Sequence, residues 1–200
     1  MITSRFAAAG VAAAALVSPS PAAALLTALP AEAASTRTLE LRGGLTLRLP
    51  AEWRVYEVRS DWTRVVTGRC AKPKGSYFTP GCDGFWILGP KAIKVGHESF
   101  NPYTGKTPFY PATDVQLCPA DRKWGLSFAS AKPRVEGLRQ VGPGHKAAYR
   151  EWAVVCRSTT GKVKSRLTQR EWYLPQTRIL VVDQWNTPGL SGVLARARWR

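Results

Sequence analysis

The sequence predicts an α+β domain: mainly one antiparallel, twisted sheet with a C-terminal helix, tied by disulfides. Three observations predict it. Short runs of alternating apolar and polar residues recur from Thr36 onward, separated by Gly, Pro, Asp and Ser turns. The last third holds two long alternating runs joined by the turn Thr159-Thr160-Gly161-Lys162. Four cysteines, Cys70, Cys82, Cys118 and Cys156, make an even count, which in an exported chain implies disulfides.

The elements follow in order. Thr36–Arg42 and Leu45–Leu49 alternate around Gly43-Gly44, a hairpin signal, and Pro50 ends the second strand. Trp53–Arg59 and Trp62–Thr67 read as the next pair, around Ser60-Asp61. Phe85–Leu88 and Ala92–Val95 flank Gly89-Pro90 and read as another short pair. From His97 to Ala120 the alternation collapses among Pro102, Pro108, Pro111 and Pro119, with Phe100, Tyr103, Phe109 and Tyr110 between them. So long a connection is a packed loop or a functional one, and its own rings favour packing onto the core. Trp53, Trp86, Trp152 and Trp185 sit beside aliphatics in strand patterns and are expected in the core.

Lys146–Arg157 then returns as Val163–Leu174, and Thr177–Trp185 makes a third strand after Pro175-Gln176. Placing Ser158 opposite Val163 sets Glu151 across from Arg170 and Arg150 across from Glu171. Both pairs are opposite in sign, each worth a few tenths of a kcal/mol, and a one-residue slip loses them. Thr187-Pro188 opens a helix through Trp199. Thr187 suits the cap, and Leu190, Val193, Leu194 and Ala197 fall on one face.

The front end predicts export. Met1–Arg5 is short and basic, Phe6–Val17 is apolar, Ser18-Pro19-Ser20-Pro21 breaks it, and Ala31-Glu32-Ala33 supplies small residues for cleavage. Residues 1–33 read as a signal peptide and 34–200 as a single secreted globular domain. The apolar run of Phe6–Val17 is well short of the roughly 20 residues a membrane span needs, so no transmembrane segment is expected after cleavage. No Cys lies near residue 33 to take a lipid.

Four cysteines allow three pairings. Cys70–Cys82 closes the Pro-, Gly- and Lys-rich loop 71–81, and Cys118–Cys156 pins the irregular segment to a strand; this pairing is favoured. Loop-closure entropy makes the two bridges worth about 3 and about 4 kcal/mol. No C-x-x-C pair and no His at ligand spacing point to a metal. Neither G-x-G-x-x-G nor a P-loop is present, so no cofactor is expected.

The chain carries 29 Lys and Arg against 13 Asp and Glu, a balance of +16. Cleavage removes one cation, Arg5, and one anion, Glu32, and leaves that balance unchanged. So large an excess concentrates polyanions and speeds encounter with them. Lys162, Lys164, Arg166 and Arg170 crowd one strand, with Trp172 next along. From Lys164 the spacing is even and puts these side chains on one face. Interleaved cations and an indole grip an anionic or sugar-containing chain through charge, bidentate bonds and stacking. The plainer reading of the same residues is a solvated sheet face. Nothing in the motifs points to specific nucleic-acid recognition.

Catalysis has little to draw on. Adjacent side chains in His97-Glu98-Ser99 point apart and make no relay, and no G-x-S-x-G elbow exists. His145 reads as a turn residue. Eight Glu and five Asp leave a carboxylate pair open. The leading expectation is therefore a secreted, non-enzymatic basic protein that binds an anionic surface polymer or an acidic protein. The alternative is a secreted hydrolase of cell-wall or polysaccharide substrate, with His97 or a carboxylate pair as acid/base.

Two stretches carry a family likeness. Leu45-Thr46-Leu47-Arg48-Leu49-Pro50-Ala51-Glu52-Trp53-Arg54-Val55 resembles the strand, Leu-Pro, x-x-Trp-x-Val opening of Mog1/PsbP-like domains. Gly144-His145-Lys146-Ala147-Ala148-Tyr149 resembles their Gly-x-x-Ala strand start, followed by long antiparallel strands and a closing helix. The Gly81-Cys82…Leu88-Gly89-Pro90 and Tyr149-Arg150-Glu151-Trp152…Cys156 segments also resemble those of secreted actinobacterial proteins. The likeness covers residues 45–55 and 144–199 and implies an α/β sandwich. It implies no active-site residues, since the Mog1/PsbP group shares no catalytic set.

Overall fold

The structure, a computed structural model, describes residues 36–111 and 116–200. The predicted signal segment, residues 1–33, lies outside the described residues. In chain order the elements are β1 (Thr36–Glu40), β2 (Leu45–Pro50), β3 (Arg54–Arg59), β4 (Trp62–Cys70), β5 (Cys82–Leu88), α1 (Pro90–Ile93), β6 (Gln116–Leu117), β7 (Gly125–Phe128), β8 (Val135–Gln140), β9 (Lys146–Arg157), β10 (Val163–Leu174), β11 (Ile179–Asp183), α2 (Leu190–Ala195) and β12 (Arg198–Trp199).

They form two sheets, and every strand pair is antiparallel. β1, β2 and β12 make the smaller one. The larger runs β3-β4-β5-β11-β10-β9-β7-β6, with β8 also paired to β9. β5 and β11 sit in its centre with both faces covered, which is why Phe85-Trp86-Ile87-Leu88 and Ile179-Leu180-Val181-Val182 are unbroken apolar runs. β2 has one covered face, so Leu45, Leu47 and Leu49 are buried while Arg48 between them is exposed. The β1–β2 turn needs its two glycines. Gly43 and Gly44 have φ of +68° and +79°, and a Cβ on Gly44 would stand 2.7 Å from the Arg200 carbonyl oxygen.

Each face of the large sheet carries its own core. On one face the small sheet and α2 bring Leu47, Leu49, Leu190 and Leu194 against Phe85, Trp172 and Val181. On the other, the segment after β5 and the 72–79 loop bring Tyr77, Tyr103 and Phe109 against Trp62, Trp86 and Leu180. The second core is held by edge-on rings: the Phe109 centroid lies 5.8 Å from Trp62 and 5.4 Å from Tyr77. The rings of the 97–111 stretch thus pin most of it down, although Phe100 is left exposed at its tip.

Two disulfides, Cys70–Cys82 and Cys118–Cys156, join β4 to β5 and the 118–120 segment to β9. The predicted charge register is present, with Arg170 opposite Glu151 and Glu171 opposite Arg150. At the turn end it differs. Val163 faces Arg157, not Ser158, and Ser165 faces Cys156, so Lys164 is the extra residue of a bulge.

Three element expectations are corrected. Ala92–Val95 is not a strand. Pro90 opens the helical turn α1 after Gly89, burying Ala92 and Ile93, and Phe85–Leu88 pairs with β4 and β11 instead. The C-terminal helix is shorter than expected, because Arg198 and Trp199 pair with Thr46 and Leu45. Gly189, at φ +77°, stands at its cap, since the Thr187 hydroxyl is bonded to Asp183. Its buried face is Leu190, Val193 and Leu194, and Ala197, expected on that face, is buried just past the helix end. The third strand of the C-terminal set runs only from Ile179 to Asp183, and Trp185 is half-exposed.

Candidate functional site

The large sheet splits where β11 stops. Asp183 is the last residue of β11 and faces Arg170 on β10 and Phe85 on β5. β10 continues past that point to Val163 and β5 to Cys82. The chain leaves the sheet because the buried Asp183 carboxylate gathers the residues that follow. It accepts from the Trp185 amide at 3.0 Å and from the Thr187 amide and hydroxyl at 3.1 Å each. Arg170 completes the knot, donating from Nε to Asp183 at 2.8 Å and from Nη2 to both Asp183 and the Thr187 carbonyl. Satisfying a buried carboxylate this fully takes the backbone out of line with the sheet.

Residues 163–169 of β10 are therefore paired to β9 on one side. On the other, no strand lies beside them among the described residues. A groove of about 430 Å³ occupies that place, lined by Arg166, Leu167 and Thr168 of the strand and by Trp185, Asn186 and Pro119 opposite. Pro119 is fixed by its carbonyl, which accepts from the Gly81 amide at 2.9 Å, and by the neighbouring Cys118–Cys156 bridge.

The structure divides the predicted site residues. Lys162, Lys164 and Arg166 are exposed at the turn end of the β9–β10 hairpin. Arg170 and Trp172 are not. The Trp172 side chain is 1% exposed and packs its ring on Tyr149, with centroids 4.9 Å apart, and Arg170 is tied to Asp183. The expectation of one exposed face carrying all of them is corrected for a simple reason. The face that is open to solvent at Arg166 passes beneath β2 and α2 by Trp172.

A carboxylate, that of Glu151, lines the groove itself beside Arg166 and Arg170. Glu151 takes a hydrogen bond from the Tyr149 hydroxyl, which burial and that same carboxylate hold well above the ordinary phenol range. The ion pairs among the described residues are Arg170–Asp183 and the exposed Arg200–Glu40. Lys162, Lys164 and Arg166 enter neither.

On the opposite face a second buried carboxylate anchors the irregular segment. Glu171 accepts from the Phe109 amide and Gln169 Nε2 at 2.7 Å, and from Tyr103 Oη and Trp152 Nε1 at 2.9 Å. Burial pushes this carboxyl above its ordinary value, against the pull of those four donors. Gln169 in turn accepts from Gln184 at 2.6 Å, which links this anchor to the chain leaving the split. The 72–76 loop is held by a buried cation. The Arg64 guanidinium donates to the carbonyls of Lys72, Pro73 and Ser76 and lies 4.3 Å over the Trp86 ring. Burial lowers its pKa to about 10.

The histidines lie apart from the groove lining. His97 Nδ1 is 3.4 Å from the Thr107 hydroxyl, and the His145 ring stacks on Trp199 at 4.2 Å. Their ring nitrogens meet the Thr107 hydroxyl and the Pro143 carbonyl, not a serine hydroxyl.

No family model, curated protein or solved structure matches this chain. The site therefore rests on its own geometry. Sequence reasoning found Arg166 and Arg170 of the groove lining but missed Pro119, Trp185 and Asn186. One signal was present: the alternating run that forms the twelve residues of β10 is followed by the short apolar run Ile179–Val182, too short to accompany the longer strand along its length. Among the described residues, no helix is long and apolar enough to cross a membrane.

Proposed function

We propose that the protein is a secreted, non-enzymatic basic binding protein whose partner is an anionic chain, either an acidic protein segment or an anionic surface polymer. The observation that carries this reading is the exposure of Lys162, Lys164 and Arg166 at the start of β10, with Arg166 in the lining of the groove, and none of the three in an ion pair among the described residues. Two disulfides are compatible with work outside the cytoplasm. The same reading takes the chain as a distant Mog1/PsbP-like sandwich exported from an actinobacterial cell, supported by the Leu49-Pro50…Trp53 opening and the closing helix.

Titration with poly-glutamate and with polyphosphate at several salt concentrations tests the proposal. Affinity is expected to fall steeply with ionic strength. The triple variant Lys162→Gln, Lys164→Gln, Arg166→Gln is expected to lose at least tenfold in affinity, while Arg48→Gln, Arg196→Gln, Arg198→Gln, which removes the same charge elsewhere, loses far less. Equal losses from both triples would mean that net charge, and not this groove, attracts the polyanion.

A further inference from the structure

We infer that the partner of this groove is an acidic polypeptide segment that adds to the sheet as a strand along residues 163–168 of β10. This rests on the reading of the groove as an anionic-chain site and names which chain it takes.

The argument starts from strand spacing. Neighbouring strands lie about 4.8 Å apart, so β11 holds β5 and β10 roughly two spacings from each other. Past Asp183 the line of β11 continues beside β10 with no described strand on it. In an antiparallel ladder alternate residues turn their N–H and C=O to one neighbour and the rest to the other. β9 satisfies one set in residues 163–168. The other set faces the groove, a row of donors and acceptors at strand pitch.

A polysaccharide or polyphosphate has no matching row; a polypeptide in extended form does. Side chains decide what kind. Arg166 and Thr168 share the face of Arg170, and Leu167 shares the opposite face with Gln169, because alternation from Ser165 onward is regular. An incoming strand that continues the direction of β11 would set one of its faces beside Arg166 and Thr168, the other beside Leu167. Acidic residues alternating with β-branched apolar ones fit that pair of faces. Charge complementarity thus selects an acidic strand and rejects a second copy of this basic edge.

The test uses an end-blocked octapeptide of alternating Glu and Val, and two forms of it N-methylated at every Glu or at every Val. All three carry the same charge, but each methylated form lacks the donors of one edge. The unmethylated peptide is expected to bind, and to slow amide hydrogen exchange of residues 163–168. One methylated form is expected to lose at least tenfold in affinity and the other to keep most of it. If all three peptides bind alike, or bind without slowing exchange at 163–168, strand addition is wrong and the charge reading stands alone. Binding of polyphosphate but of no peptide has the same meaning and assigns the groove to a surface polymer. Failure of every polyanion overturns both.

Discussion

Arg170 and Glu151 face each other across β10 and β9, but the Arg170 guanidinium is held by Asp183 on β11. Asp183 is fully buried and Glu151 is not, so Asp183 has more to lose without a cation. Desolvated charges tolerate no missing partner, whereas exposed ones rely on water.

Asp183→Asn is therefore expected to cost about 3–5 kcal/mol, because it strands a half-enclosed guanidinium and sets amide protons against amide donors. Glu151→Gln is expected to change stability by about 0.5 kcal/mol or less. Urea unfolding of the two variants checks the pair. Similar costs would show that the cross-strand partner matters as much as the buried one.

The burial of Glu171, which outweighs its four donors, predicts a pH signature. Its carboxyl is raised in the folded protein, so between its ordinary value of 4.5 and that raised value the native state binds more protons than the unfolded state. The stability that Glu171 supplies is thus fully present below the ordinary value and declines as pH rises through the raised one. Glu171→Gln turns an amide donor toward two existing donors and is expected to lose roughly 1–3 kcal/mol. The gap between wild type and variant should narrow as pH rises from 4 through the raised value. A gap that widens over the same range would reverse the sign of the shift.

The bridges close loops of different length, with separations of 12 residues for Cys70–Cys82 and 38 for Cys118–Cys156. Paired serine replacements are expected to cost about 3 kcal/mol for the first and about 4 kcal/mol for the second. Loss of the second should also release Pro119 from the groove and weaken polyanion binding, which loss of the first should leave nearly intact. Thermal melts and poly-glutamate titration of both double variants separate the two effects.

What was legible in the sequence is what depends on neighbours along the strand. Leu45, Leu47 and Leu49 announce a one-sided strand by alternation, and Ile179–Val182 announces a central one by its lack of it. The register of β9 on β10 followed from opposite charges, although both carboxylates proved to have other partners, Tyr149 for Glu151 and Trp152 among those of Glu171. What was not legible is what covers a face. Arg166 and Trp172 share one side of one strand, and only the return of β2 and α2 over its far end decides that the indole is core. The end of β11 was missed for the same kind of reason: it is set by contacts of Asp183 with Arg170 and Thr187, not by the residues of the strand itself.

The early stop of β11 also bears on how the molecule behaves when crowded. A bare stretch of strand invites pairing between copies, and lysine and arginine beside it are a common deterrent. Here the deterrent is electrostatic, so it fades in brine. Strong salt should thus push concentrated solutions toward self-association, visible as growing particle size in light scattering. Size that stays constant up to molar salt would mean that shape alone keeps the copies apart.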